Sequence, residues 1–273
     1  MSGPPRIAAL QMTSGPEVAA NLATARRLLA EARDAGACVA VLPENFSFMG
    51  RSEAERRQVV ERPGDGPVQQ ALAGAAQDLG LWIVAGTMPI ALPEDPRPAN
   101  ACLVFDDRGR QVARYDKIHL FDVDLPGRNE GYRESANAAP GRDPVVVDTP
   151  AGRIGLSVCY DLRFPELYRR LVAGGAEILS VPAAFTAPTG RAHWEVLLRA
   201  RAVENLCYVV AAAQSGLHPS GRETYGDSLV ADPWGRVLAR RPRGSGVVVA
   251  EVDLEAQQRT RRSFPALTHR VLE

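Results

Sequence analysis

Histidine and cysteine are scarce in this 273-residue chain, with only four of each. His119, His193, His218 and His269 lie far apart and form no HExxH pair. Cys38, Cys102, Cys159 and Cys207 include no CxxC. Zinc-ribbon, metalloprotease and thioredoxin-like chemistry therefore have no residues to stand on, and neither a metal nor an organic cofactor is expected. The chain has no excess of charge, since 32 basic residues balance 32 acidic ones. Without a global field, neither nucleic acid nor a membrane surface is an expected partner. No apolar run approaches the roughly 20 residues that span a bilayer. The opening MSGPPRIAALQM lacks the basic region and apolar core of a signal peptide, so the expected location is cytoplasmic.

What the chain does contain is an almost unbroken alternation of strand-like and helix-like segments. RIAALQM reads as a strand, and residues 17–35 as a helix with Leu22, Ala25, Leu28, Leu29 and Ala32 on one face and Gly36 at its end. CVAVLPE follows, then two helical stretches within 52–80 and the strand LWIVAGTMPI (81–90). ANACLVFDD and RQVARYDK flank a turn at Asp107-Arg108-Gly109. Residues 118–143, rich in Gly, Pro and Asn, read as a long loop. PVVVDTP and RIGLSVCYD form a hairpin about Ala151-Gly152, and a helix starts near Pro165. EILSVPAAF, a helix over 190–205, LCYVVAAAQ, three late strands and a basic helix (254–262) complete the pattern. With no linker or repeat, it predicts one α/β domain (core about 5–254, C-terminal helix and tail 255–273), its sheets covered by helices.

Three of these segments end in a reactive side chain: Glu44 in VAVLPENFSF, Lys117 in ARYDKIHLFD and Cys159 in IGLSVCYDLRFPE. Each is an apolar strand running into polar turn residues, where α/β proteins present catalytic groups. Cys38, Cys102 and Cys207 sit inside apolar runs and read as core thiols. Competing hydrolase readings fit poorly. GLSVC lacks the G-x-S-x-G elbow. A Cys-His-Asp enzyme would need small neighbours where Val158 and Tyr160 stand, and His193, its only available histidine, lies in a helix with Trp194, Leu197 and Leu198 packed around it.

The three contexts, in this order, resemble the Glu-Lys-Cys triad of the carbon–nitrogen hydrolase (nitrilase) superfamily. The resemblance runs from RIAALQM to the last helix and implies an α-β-β-α sandwich whose subunits pair through their helical layers as a homodimer or higher oligomer. It implies that Cys159 attacks an amide carbonyl, Glu44 shuttles the proton, and Lys117 with the backbone N–H of Tyr160 meets the oxyanion. A thioester then forms and is hydrolysed. A nearby ammonium and a following helix start favour a thiolate at Cys159, and burial raises the Glu44 pKa into a working range. The family's second glutamate matches Glu134 in RESANAAPG, with Glu130 as the alternative.

TGRAHWEVLLRARAVENLCYVVAAAQSG and YGDSLVADPWG are similar to the Nit branch. That branch implies a small 2-oxo acid amide as substrate, first deaminated glutathione and then 2-oxoglutaramate. Other aliphatic amidase or nitrilase activity, or a silent relative acting as an interaction protein, are the alternatives. Arg163 and Arg191 each either pair a substrate carboxylate or serve a helix end, and Phe185 and Thr189 are expected to overhang the pocket.

Overall fold

The computed structural model describes residues 3–124 and 131–272. Its first half runs β1 (Arg6–Gln11), α1 (Val18–Asp34), β2 (Ala37–Val41), α2 (Glu53–Arg57), α3 (Pro67–Leu79), β3 (Trp82–Val84), β4 (Met88–Ile90), β5 (Ala99–Phe105) and β6 (Gln111–Asp116). Residues alternate across this sheet as the period-2 rule requires. Ala8, Leu10, Ala40, Leu42, Ala101 and Leu103 face a layer built from Leu28 and Leu29 of α1 and Leu72 and Ala76 of α3. Ile7, Ala9, Val39, Val41, Cys102 and Val104 turn the other way, into a second core shared with the other half of the chain. Each fully buried leucine contributes about 1.5–3 kcal/mol.

The second half runs β7 (Asp122–Asp124), β8 (Gly131–Arg133), β9 (Val146–Thr149), β10 (Gly152–Leu156), α4 (Pro165–Ala173), β11 (Ile178–Ala183) and α5 (Ala187–Asn205). It continues with β12 (Tyr208–Ala213), β13 (Ser215–Leu217), β14 (Glu223–Tyr225), β15 (Ser228–Ala231), β16 (Val237–Arg241), β17 (Gly246–Glu251) and α6 (Leu254–Ser263). Its main sheet has the order β16-β15-β12-β11-β10-β9, covered by α4 and α5 through Leu167, Leu171, Trp194 and Leu198. Gly155 faces α4, where a Cβ would sit 3.0 Å from Leu171 Cβ, so the missing side chain lets the helix approach. The two sheets stack between helical layers, giving the expected α-β-β-α sandwich.

One connection departs from the alternation, and one contact joins the sheets. β17 leaves the second sheet and pairs antiparallel with β1, giving the first sheet the order β17-β1-β2-β3-β5-β4 with β6 on the far edge of β5. At the ends of β1 and β12 the sheets touch directly: Met12 N–H donates to Ala213 O (3.3 Å) and Ser215 N–H to Met12 O (2.8 Å).

Three expectations need correction. The segment 118–143 is not wholly loop: β7 pairs with β8, and a 3-10 turn spans Glu134–Ala136. The run 81–90 is two strands, interrupted at Ala85–Thr87 because Gly86 turns left-handed (φ 52°). The α5 helix starts at Ala187, with Pro188 in its first turn, rather than at 190.

The break at Gly86 positions the first candidate residue. An added Cβ there would lie 2.0 Å from the carbonyl oxygen of Pro43, and Thr87 Oγ1 accepts from Asn45 N–H at 2.9 Å. The PEN turn is thus pressed onto the interruption. Gly86→Ala is expected to lower unfolding stability by more than about 2 kcal/mol, because both φ and space are wrong for a side chain. A denaturant melt showing less than half that loss would mean the turn relaxes freely.

Candidate active site

Glu44 follows β2, Lys117 follows β6 and Cys159 follows β10, so strand ends from both sheets bring the three side chains to one cavity of about 400 Å³. Lys117 is 1% exposed and Glu44 is 3% exposed. The Lys117 ammonium donates to Glu44 Oε1 at 2.9 Å and to Glu134 Oε2 at 2.8 Å. Glu134 is therefore the glutamate that reaches the lysine; the alternative, Glu130, lies outside the described residues.

Both carboxylates are held by further donors. Asn100 Nδ2 donates to Glu44 Oε1 (3.3 Å) and to Glu134 Oε1 (3.2 Å). The Ala184 N–H donates to Glu44 Oε2 at 2.9 Å, and the Phe121 N–H to Glu134 Oε2 at 2.7 Å. Gln214 adds a bond from Nε2 to the Glu44 carbonyl at 3.1 Å. A buried charge is tolerable only when paired and hydrogen-bonded in this way.

Cys159 stands on a sharp turn, with φ 49°, a left-handed backbone that costs a residue with a Cβ roughly 1–2 kcal/mol. Asp161, fully buried, holds that turn. Its carboxylate accepts from Val158 N–H (2.8 Å), Tyr115 Oη–H (2.7 Å) and His119 N–H (3.0 Å), and lies 2.7 Å from His119 Nδ1. Tyr115 and His119 flank Lys117 by two residues on either side, so one carboxylate ties the lysine segment to the cysteine turn. This gives a physical reason for YDKIH and CYD in one chain.

The electrostatics reverse two expectations. Burial works to raise the Glu44 pKa, but the Lys117 ammonium outweighs it and holds the carboxyl below its ordinary value. Burial also opposes the Lys117 charge, yet Glu134 and then Glu44 keep it ionised, with its pKa raised. For Cys159, burial raises the thiol pKa and the Glu44 charge raises it further, while Lys117 opposes without prevailing. The resting site therefore pairs an ionised carboxylate with a protonated thiol, not a glutamic acid with a thiolate. Cys159 opens a 3-10 turn (Cys159–Arg163) that leads into α4, which starts at Pro165 as expected.

Tyr160, Arg163, Phe185 and Thr189 all line the cavity. The Arg163 guanidinium lies 5.5 Å from the Phe185 ring centroid and 5.9 Å from that of Tyr160, with both terminal nitrogens 3.3 Å from His193 Nδ1. Arg191 is exposed and does not line the cavity. The sequence reading missed Asn45, Arg56, Asn100, Asp161 and Arg222. Asn100, a lone amide inside an apolar strand, carried a legible signal of a buried polar role. Arg222, in a Ser-Gly-Arg loop, carried none.

Residues 6–262 match the carbon-nitrogen hydrolase family. The chain belongs to that family. This hydrolase is 42% identical over 264 residues to a deaminated glutathione amidase of Yersinia enterocolitica, covering 96% of this chain and 92% of the relative. Its fold superposes on the crystal structure of the Caenorhabditis elegans NitFhit protein with a TM-score of 0.91 at 39% identity, covering 99% of this chain and 66% of that longer one. A mutant amidase from Nesterenkonia sp. AN1, carrying an acrylamide adduct at its active-site cysteine, matches with a TM-score of 0.77 at 29% identity, over 96% of this chain and 98% of that one.

A protonated resting thiol has a measurable signature in this hydrolase. Alkylation of Cys159 by iodoacetamide is expected to rise with pH through a midpoint above the roughly 8.5 of a free cysteine. In Glu44→Gln the midpoint should fall, because the carboxylate charge that disfavours the thiolate is gone. A midpoint near neutral pH in the unmutated protein would contradict the charge assignment.

Proposed function

We propose that this carbon-nitrogen hydrolase is a cysteine-dependent amidase whose substrate is a small 2-oxo acid amide, deaminated glutathione foremost. The observation that carries the reaction is the meeting of Glu44, Lys117 and Cys159 in one buried, hydrogen-bonded cluster. The relatives named as deaminated glutathione amidases support the substrate.

In this reading Cys159 Sγ attacks the amide carbonyl carbon while its proton passes to the Glu44 carboxylate. The depressed Glu44 pKa keeps that group ionised and able to accept. Charge develops on the carbonyl oxygen, where the Lys117 ammonium and the Tyr160 N–H stabilise it; one such donor is commonly worth about 2.7–4 kcal/mol. Collapse breaks the C–N bond, Glu44 returns the proton to the departing amine, and cysteinylglycine leaves. The acyl group remains as a thioester on Cys159. Glu44 then takes a proton from water as the water adds to the thioester, and 2-oxoglutarate departs as the thiol is re-formed. Glu134 keeps Lys117 charged and fixed throughout.

The chemistry draws on side chains and backbone alone, and the proposed site of action is the cytoplasm. A homodimer is proposed through the helical layer of α5. Val196 and Val203 of that helix are 61% and 49% exposed, and exposed Trp234 and Phe264 pack edge-to-face with centroids 5.7 Å apart. Aromatic residues are enriched at the cores of protein interfaces.

Cys159→Ala is expected to abolish amide hydrolysis while remaining folded. Glu44→Gln and Lys117→Ala should each reduce kcat at least about a hundredfold. Near-normal turnover by a folded Cys159→Ala protein would remove the nucleophile. For substrate, kcat/KM should be highest on deaminated glutathione, then 2-oxoglutaramate, with glutamine and a simple nitrile far behind. A tenfold preference for glutamine or the nitrile, about 1.4 kcal/mol, would overturn the 2-oxo amide while leaving the triad chemistry standing.

A further inference from the structure

Beyond the catalytic cavity lies a second concavity of about 500 Å³, and the two share Asn45, Arg56, Gly131, Tyr132 and Arg222 as a common threshold. The outer groove also takes in Arg51 and Ser220, and no Asp or Glu lines it among the described residues. Arg51 is answered by Glu55 at 3.7 Å. Among the described residues neither Arg56 nor Arg222 forms a close ion pair with a carboxylate, although the Arg222 charge helps hold the Glu44 carboxyl below its ordinary value. Among the described residues Arg56 donates to amide oxygens, Asn45 Oδ1 at 3.0 Å and Asn100 Oδ1 at 3.4 Å. Arg222 donates through Nη2 to the Ala184 carbonyl, and its guanidinium carbon lies 5.1 Å from the Tyr132 ring centroid. Its Nε is buried with no hydrogen-bond partner among the described residues. Leaving such a donor unmet costs roughly 1–3 kcal/mol, so its presence at a groove lined by cations points to an anionic ligand.

We propose that this groove is the leaving-group subsite, and that Arg56 and Arg222 bind a carboxylate on the amine half of the amide. The inference rests on the amidase reading above and deepens it. Arg163 lines the inner cavity and not the groove, so the acyl and amine halves of a substrate charged at both ends meet different arginines. Ammonia would leave the groove unused, whereas a departing dipeptide fills it and places its terminal carboxylate against planar guanidinium donors.

The test compares deaminated glutathione, its C-terminal carboxamide and 2-oxoglutaramate on the unmutated enzyme, Arg56→Gln and Arg222→Gln. Unmutated enzyme should prefer the carboxylate to the carboxamide at least tenfold in kcat/KM, mainly through KM. Each variant should cut that preference below about threefold, while the ratio between carboxamide and 2-oxoglutaramate stays constant. Effects relayed through the Ala184 peptide are common to all three substrates and cancel in these ratios. Equal losses on all three compounds would overturn the subsite. If the unmutated enzyme hydrolyses none of them, the substrate reading fails separately, and the groove is read by calorimetry on Cys159→Ala protein. Cysteinylglycine should then bind more tightly than cysteinylglycinamide, and Arg56→Gln should erase the difference; equal binding of acid and amide overturns the proposal.

Discussion

A single ammonium placed out of water between two carboxylates is the constraint around which this molecule is arranged. Lys117 can be buried only because Glu44 and Glu134 lie within 2.9 Å of its nitrogen. Those carboxylates in turn need the Asn100 amide and the Ala184 and Phe121 N–H groups. Removing one member of such a set leaves an uncompensated charge, which typically costs 3–5 kcal/mol. The cluster therefore couples strand ends from both sheets, and the stacking of the sheets becomes a condition for the charges to exist where they do.

The same arrangement decides which proton is mobile. Glu44 and Cys159 cannot both be ionised cheaply, because a carboxylate and a thiolate side by side disfavour each other. Lys117 stabilises either, but its direct bond is to Glu44, so the carboxylate holds the charge until a carbonyl arrives. A thiol that stays protonated at rest is also less prone to stray alkylation and oxidation. The turn that carries it is strained, and the buried Asp161 carboxylate offsets that strain by collecting donors from Val158, Tyr115 and His119.

Much of the fold was legible in the residues. Period-2 runs marked most strands, Gly36 and Pro165 marked helix boundaries, and the Ala151-Gly152 turn marked a hairpin that the structure contains. The triad positions were legible because each stands where an apolar run meets a polar turn. The short hairpins β7–β8 and β13–β14 were not, since three-residue strands carry too little alternation to stand out. Arg56 and Arg222 were equally silent: an arginine in a loop or on a short exposed helix reads as solvated until its surroundings are known.

By itself, then, the sequence determined the elements, the candidate nucleophile, base and cation, and the family. These follow from local pattern and residue chemistry, which act over a few neighbours. Tertiary structure alone decided that β17 crosses to pair with β1 and that Gly86 presses the PEN turn into place. It also decided which glutamate reaches Lys117 and which direction each pKa moves. Those depend on distances between residues far apart in the chain, and on the balance between burial and paired charge that only packing sets.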